Sequence, residues 1–246
     1  MNVEYSKKKP LSLQEHFVEL RIRILRSFLS LIPFFVICWF FSDDLLNILR
    51  QPLKPFLKST GGGLIFTAPL DQFMAHLQIS FFASVFLSSP YWLAQLWCFI
   101  SPGLYKKEKK LFIFFWFMGL VLFLLGTCFA YFVVFPIMFS LLMNFGSGVD
   151  QPFITIKNYL SFITRFIFIL GLVFEMPLIL VFLCRGGMLS SGFLKKYRRQ
   201  AILILSILSA FITPPDILSL FLLLLPLIGL YELSIWLTGF FEVKRA

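Results

Sequence analysis

Residues 111–135 read LFIFFWFMGLVLFLLGTCFAYFVVF, twenty-five residues without one charged side chain. At about 1.5 Å of rise per residue, a helix of this length extends roughly 37 Å, enough to cross the roughly 30 Å hydrocarbon core of a bilayer. The stretch is apolar all round, so none of its faces suits water. Outward from it, further apolar runs cover approximately 22–41, 74–100, 159–183, 201–212 and 217–237. The whole 246-residue chain agrees: 59% of it is hydrophobic, 14% is charged and the mean hydropathy is +0.89. Soluble domains average about 45–50% apolar and about 25% charged residues, so this chain lacks the polar surface to cover a water-soluble globule. The expected fold class is an all-α integral membrane protein: one polytopic domain over residues 1–246 with six transmembrane helices.

A net charge of +10 does not here indicate nucleic acid, because the cations stand in short clusters between apolar runs, with no basic stripe interleaved with stacking aromatics. They indicate orientation instead. Seventeen lie on one side of the runs: Lys7, Lys8, Lys9, Arg21, Arg23 and Arg26; Lys106, Lys107, Lys109 and Lys110; Arg185, Lys195, Lys196, Arg198 and Arg199; Lys244 and Arg245. Four (Arg50, Lys54, Lys58 and Lys157) lie on the other side, and Arg165 falls inside the fourth run. By the positive-inside rule both termini are expected in the cytoplasm. The basic start followed by an apolar stretch outlines a secretory signal peptide, but Ser42-Asp43-Asp44 stands where a small-residue cleavage site belongs, so the stretch reads as a retained span.

Residues 42–73 carry Pro52, Pro55, Gly61, Gly62, Gly63 and Pro69 around short apolar pieces, predicting a short helix and turns on the outer surface; residues 136–158 read similarly. Cys38, Cys98, Cys128 and Cys184 sit in or at the ends of apolar runs without a CxxC spacing. That argues against a disulfide framework or zinc site and reads them as small core hydrophobes. The last two runs are short. A helix over 201–212 is about 18 Å long, Thr213-Pro214-Pro215-Asp216 joins it directly to the next, and Glu232 interrupts that one. Either the hairpin thins the bilayer, or the helices extend past these bounds by Tyr197 and Trp236.

Few residues are candidates for chemistry. Ser12-Leu13-Gln14-Glu15 fits a capping box, and Leu13, Phe17, Leu20 and Ile24 then form an apolar stripe suited to the membrane interface. The opposite face carries Glu15, His16, Glu19, Arg23 and Arg26, and on spacing alone Glu19 pairs with Arg23 at i,i+4. Glu108 is the one acid among four lysines, in a loop that Pro102-Gly103 turns and Tyr105 anchors; on residue type alone it relieves lysine repulsion and caps the next helix. Inside the runs, Arg165 and Glu175 are about 15 Å apart along one helix, too far to pair. Arg165, near the outer end, can snorkel; Glu175, in Phe174-Glu175-Met176-Pro177, costs about 2.5–3.5 kcal/mol as a charge at the bilayer centre. It therefore faces the bundle interior or a wet groove, or it bonds backbone freed by Pro177. No catalytic residue, cofactor or metal is implied: His16 and His76 stand alone, HExxH is absent, and neither a nucleophile turn nor a glycine-rich phosphate loop occurs.

Five motifs in order resemble the TatC family, the multispanning core of the twin-arginine protein translocase. They are His16-Phe17-Val18-Glu19-Leu20-Arg21, Phe99-Ile100-Ser101-Pro102-Gly103-Leu104-Tyr105 with Glu108, Tyr131-Phe132-Val133-Val134-Phe135-Pro136, Phe174-Glu175-Met176-Pro177 and Thr213-Pro214-Pro215-Asp216. The resemblance implies a receptor in which Glu19 and Glu108 bind the paired arginines of a signal peptide on a folded cargo protein, with Arg21, Phe99, Pro102 and Tyr105 nearby. The chemistry is consistent, since a carboxylate accepts a planar guanidinium bidentately and lysine cannot copy that fork. It further implies TatA-like and TatB-like single-span partners along the last two helices, a homo-oligomer within the complex, and transport driven by the proton-motive force. Glu175 and Asp216 match the family's intramembrane and outer-turn acids. Leu220 departs from the family, which commonly has Gln there, and Arg165 matches no family feature.

Two acids on so basic a face need relief from it, which anionic lipid headgroups supply by drawing off lysine charge. With no transit peptide in view, the expected location is a bacterial inner membrane. The alternative is a secondary transporter of a small solute or ion, but such folds carry internal repeats and broken helices meeting at the midplane, and no repeat is visible here. An intramembrane protease needs a paired nucleophile and base inside the spans, and no such pairing is seen in the sequence.

Overall fold

The computed structural model describes residues 13–55, 64–100, 109–143, 154–213 and 216–241. Among these the chain is helical apart from turns and one isolated bridge. There the Ile65 N–H donates to the Ile154 carbonyl (3.1 Å) and the Ile156 N–H to that of Ile65 (3.0 Å), tying the connection around residue 65 to the one around residue 155. The helices are α1 (Leu13–Phe40), α2 (Ser42–Arg50), α3 (Leu70–Leu87), α4 (Ser89–Ile100), α5 (Lys109–Phe129), α6 (Phe135–Met143), α7 (Ile156–Phe174), α8 (Met176–Arg185), α9 (Ser191–Lys196), α10 (Arg198–Ile212) and α11 (Ile217–Phe241). Phe17–Phe40, Phe112–Leu142, Ile156–Arg185 and Ile217–Phe240 are each long and apolar enough to cross a membrane, and α3 with α4 makes a fifth if that bent pair is one span.

Several elements differ from the sequence reading. The first helix begins well before residue 22, so the amphipathic segment and the span are one rod; Ser12, which opens the capping box, lies outside the described residues. The run 74–100 is two helices bent by 57°. Pro90, in the first turn of α4, needs no backbone partner there, and the carbonyls freed at the break are met from side chains. Ser84 Oγ donates to Phe81 (2.7 Å), Ser88 Oγ to Val85 (3.2 Å) and Trp92 Nε1 also to Val85 (2.9 Å).

The third helix does not stop at 135. It passes through a π segment, Ala130–Val134, into α6. Pro136 lacks an N–H and its ring crowds the carbonyl four residues back, and a wider turn relieves that conflict. The fourth run breaks at Glu175 for the same reason at Pro177. Of the last two helices only α10 is short: its 15 residues extend about 22 Å, while the 25 of α11 extend about 37 Å. Glu232 does not interrupt α11, because Arg198 at the head of α10 donates to it at 2.8 Å. Cys128 is exposed rather than a core residue.

The helix α3 packs on α1 and α7, α5 on α7, and α8 on α11. Small residues permit the closest approach: a Cβ at Gly126 would lie 2.7 Å from Phe174 and one at Gly171 2.8 Å from Phe123, as expected where packing rather than water drives association. Phenols fasten the non-spanning helices. Tyr131 donates to the Ile48 carbonyl (2.6 Å), Tyr159 to that of Leu49, and Tyr231 to that of Leu194 (2.9 Å). Large side chains such as Phe40, Phe132, Phe211 and Phe240 point outward, an apolar exterior that suits lipid.

Candidate functional site

An apolar groove of about 510 Å³ runs between α1, the bent α3–α4 pair and α7. Its walls are Leu20, Ile24, Phe28 and Leu31 of α1, Phe81, Phe82 and Val85 of α3, Trp92, Leu96 and Phe99 of α4, and Phe168 and Ile169 of α7. The bend at Ser88 shapes it, since a straight helix would carry α4 away from α1. Helices α1 and α4 both face the groove toward the end where Leu20 and Phe99 lie, and Arg23 and Gln95 stand among the apolar walls there.

At this mouth Arg23 donates to Glu19 Oε1 through Nε (3.0 Å) and Nη2 (2.5 Å), and Nη1 reaches Gln95 Oε1 at 3.3 Å. The pairing expected from i,i+4 spacing is therefore present, with Gln95 as a third member. The only hint of Gln95 in the sequence is a polar residue inside an apolar run. The side chains of Arg23 and Glu19 are 20% and 29% exposed, so solvent and lipid headgroups reach them. Phe99 lines the same mouth, while Arg21 is exposed on α1. Pro102, Tyr105 and Glu108 lie outside the described residues.

Glu175 occupies a different setting. It stands at the break between α7 and α8, 2% exposed, and neither carboxylate oxygen has a hydrogen-bond partner among the described residues. Its backbone is satisfied: the N–H donates to Leu172 (3.1 Å), and the carbonyl accepts from Leu178 (3.1 Å) and Ile179 (3.0 Å). The carboxylate thus does not bond backbone freed by Pro177, which removes that reading. The space it fills is made by Gly119 of α5, where a Cβ would lie 2.8 Å from Trp97 Nε1 and 3.0 Å from Glu175 Oε2. Around it Trp97, Phe115, Leu178, Val181 and Phe182 form a compact apolar cluster. Trp97 and Gly119 were not singled out in the sequence, where an indole and a glycine within apolar runs carry no mark of their shared neighbour.

Asp216 begins α11 and caps it. Its Oδ1 accepts from the Ser219 N–H at 2.6 Å, three residues on, as an N-cap does, while Oδ2 is buried without a partner among the described residues. Leu220 is packed against the main core. The structure thus brings Glu19 and Phe99 to one mouth, sets Glu175 in an enclosed cluster, and puts Asp216 at a helix start. Among the described residues no group of His, Cys, Asp and Glu is arranged to hold a metal ion.

The fold and these sites define a multi-pass helical membrane protein with an apolar groove between its helices. The family profile described as Sec-independent protein translocase protein (TatC) matches residues 15–226. The TatC protein of Campylobacter jejuni is 39% identical over 224 residues, 91% of each chain, and that of Helicobacter pylori strain J99 is 40% identical over 91% of this chain and 87% of its own. A crystal structure of a twin-arginine translocase receptor, TatC, superimposes with a TM-score of 0.82 at 33% identity, covering 92% of this chain and 99% of that one. The chain belongs to the TatC family and is a component of a Sec-independent protein translocase, a transport family rather than an enzyme family.

Proposed function

We propose that this chain is the receptor core of a twin-arginine translocase, one membrane domain over residues 1–246 that crosses a bacterial inner membrane six times with both termini in the cytoplasm. The seventeen-to-four division of Lys and Arg supports this orientation. The fifth crossing in chain order is α10, whose roughly 22 Å requires a locally thinned bilayer.

In this reading Glu19 and Glu108 take the paired arginines of a signal peptide, with Arg21, Phe99, Pro102 and Tyr105 around them. The observation that carries it is the state of Glu19 at the groove mouth. It already accepts a guanidinium, both bonds fall on Oε1, and no described residue donates to Oε2. An incoming arginine exchanges with Arg23 for a site of its own kind, while Gln95 retains Arg23. TatA-like and TatB-like single-span subunits pack along α10 and α11, whose Leu203, Ile204, Ile207, Phe221 and Leu225 are exposed. Asp216, at the start of α11, supplies a polar contact for assembly, Glu175 is the polar intramembrane residue behind that surface, several copies join in the complex, and the proton-motive force drives transport.

The test is export of a folded reporter bearing a twin-Arg signal, compared with the same reporter bearing twin Lys. Lysine is a point charge and cannot take the bidentate geometry. Export is expected to fall at least tenfold, roughly the worth of one charge-assisted bond; equal export of both reporters overturns the reading.

A further inference from the structure

Arg165 is an exposed cation on a membrane-spanning helix, about 13 Å along α7 from Ile156. Among the described residues it forms no ion pair; the recorded pairs join Arg23 to Glu19, His76 to Asp43 and Arg198 to Glu232. Of the other described acids, Asp71 accepts from Thr67 and Ala68, Asp216 caps α11, and Glu175 is enclosed. A guanidinium on a lipid-facing surface is expensive unless an anion meets it, and that anion must come from outside the described chain.

The surroundings say what kind. Asn158, Ser161 and Arg165 follow at spacings of three and four on one face of α7, and with Phe162, Phe211 and Ile212 they line a hollow of about 230 Å³. Arg165 and Ile169 line both this hollow and the 510 Å³ apolar groove, so the two adjoin. Among the described lining residues the polar side is rich in donors and holds no acid, and the other side is hydrocarbon and aromatic. Phe211 and Ile212 end the short α10, so the hollow lies level with its outer end, where a thinned leaflet brings headgroups down to Arg165.

We propose that this is a binding site for an anionic phospholipid of the outer leaflet, its phosphate on Arg165, Ser161 and Asn158 and its acyl chains in the groove toward Phe28 and Phe168. The direction fits: the hollow is at the outward end of the groove in the orientation proposed above, with tails running inward. A phosphodiester offers several acceptor oxygens to three donor side chains spread over about two turns of α7, and its acyl chains account for the adjoining apolar groove, which a single carboxylate from a partner helix does not. The lack of an acid among the described lining residues disfavours a headgroup that carries its own cation.

The lipid measurement needs neither signal peptide nor partner subunits, so it stands apart from the receptor reading. The full chain, purified and mixed with phosphatidylglycerol or phosphatidylcholine, is examined by native mass spectrometry and thermal melting. Wild type should retain phosphatidylglycerol preferentially and melt higher with it; Arg165→Leu should lower the retained fraction about tenfold and lose the melting shift. The double variant Asn158→Ala, Ser161→Ala, with the charge kept, should give a smaller loss. Equal retention and equal shifts in wild type and Arg165→Leu overturn the proposal. So does unchanged lipid retention with loss of a co-purifying single-span subunit, which would assign Arg165 to a protein carboxylate.

Discussion

Glu19 and Glu175 are both carboxylates on membrane-spanning elements, and their surroundings differ in every respect that sets the behaviour of an acid. Glu19 is 29% exposed and carries Arg23 on one oxygen with the other open. Glu175 is 2% exposed, lies with Trp97 over Gly119, and meets no donor among the described residues. The first is held by a charge that another charge can replace. The second is held by packing, in a space that exists only because Gly119 has no side chain. An acid at the mouth is thus built for exchange and an enclosed acid for position, so substitutions at the two places should separate binding from stability.

The largest effect is expected at the mouth. Glu19→Gln keeps the shape but removes the charge, and a hydrogen bond to a charged group is worth about 1.5–3 kcal/mol. Crosslinking of a twin-Arg signal peptide to the purified chain should fall roughly tenfold to a hundredfold. Melting temperature should hardly move, because an exposed i,i+4 pair contributes only about 0.3–0.5 kcal/mol. Unchanged crosslinking would remove Glu19 from the receptor site, and a large drop in melting temperature would erase the contrast with Glu175.

Next comes Gly119→Val, which tests the enclosed site. Its added carbons must displace Trp97 Nε1 and the Glu175 carboxylate, both within 3.0 Å of the first of them, and overpacking a tight core typically costs about 1–3 kcal/mol. Thermal or denaturant melting in detergent should report that loss, while signal-peptide crosslinking at Glu19 stays as in wild type. If crosslinking fell as far as stability did, the two sites would be one coupled unit. Glu175→Gln is the companion: it leaves the packing intact and should be close to neutral in melting, since no bond to a described residue is lost.

How far these sites could be read in advance depended on the distance between their parts. Residues 111–135 announced a span, and the interval from Glu19 to Arg23 announced a pair, because both signals are local. Gln95 is 72 residues from the Arg23 it bonds, and nothing in its own neighbourhood points there. Trp97, Gly119 and Glu175 come from three different helical elements, so only packing unites them. The bend at Ser88 was hidden because the long runs on both sides are equally apolar, leaving only the short Ser88-Ser89-Pro90 stretch to mark a helix start. Glu232 misled for the opposite reason: a charge in an apolar run suggests an end, but Arg198, 34 residues earlier, answers it.

The smallest effect, and the one that sharpens the comparison most, concerns Arg23. If Glu19 is held by an exchangeable charge, Arg23 competes with the signal peptide for it, and Arg23→Gln should tighten peptide binding rather than weaken it. The competing pair is part-exposed and screened, worth about 0–1 kcal/mol, so the gain is at most roughly fivefold. It should shrink further at high salt, where the pair contributes less. Binding measured by fluorescence anisotropy of a labelled twin-Arg peptide reads this directly. A loss of several-fold on Arg23→Gln would mean that Arg23 positions the Glu19 carboxylate for the peptide; Glu19 would then be held in place as Glu175 is, and the distinction between an acid kept for exchange and an acid kept for position would fail at its exchangeable end.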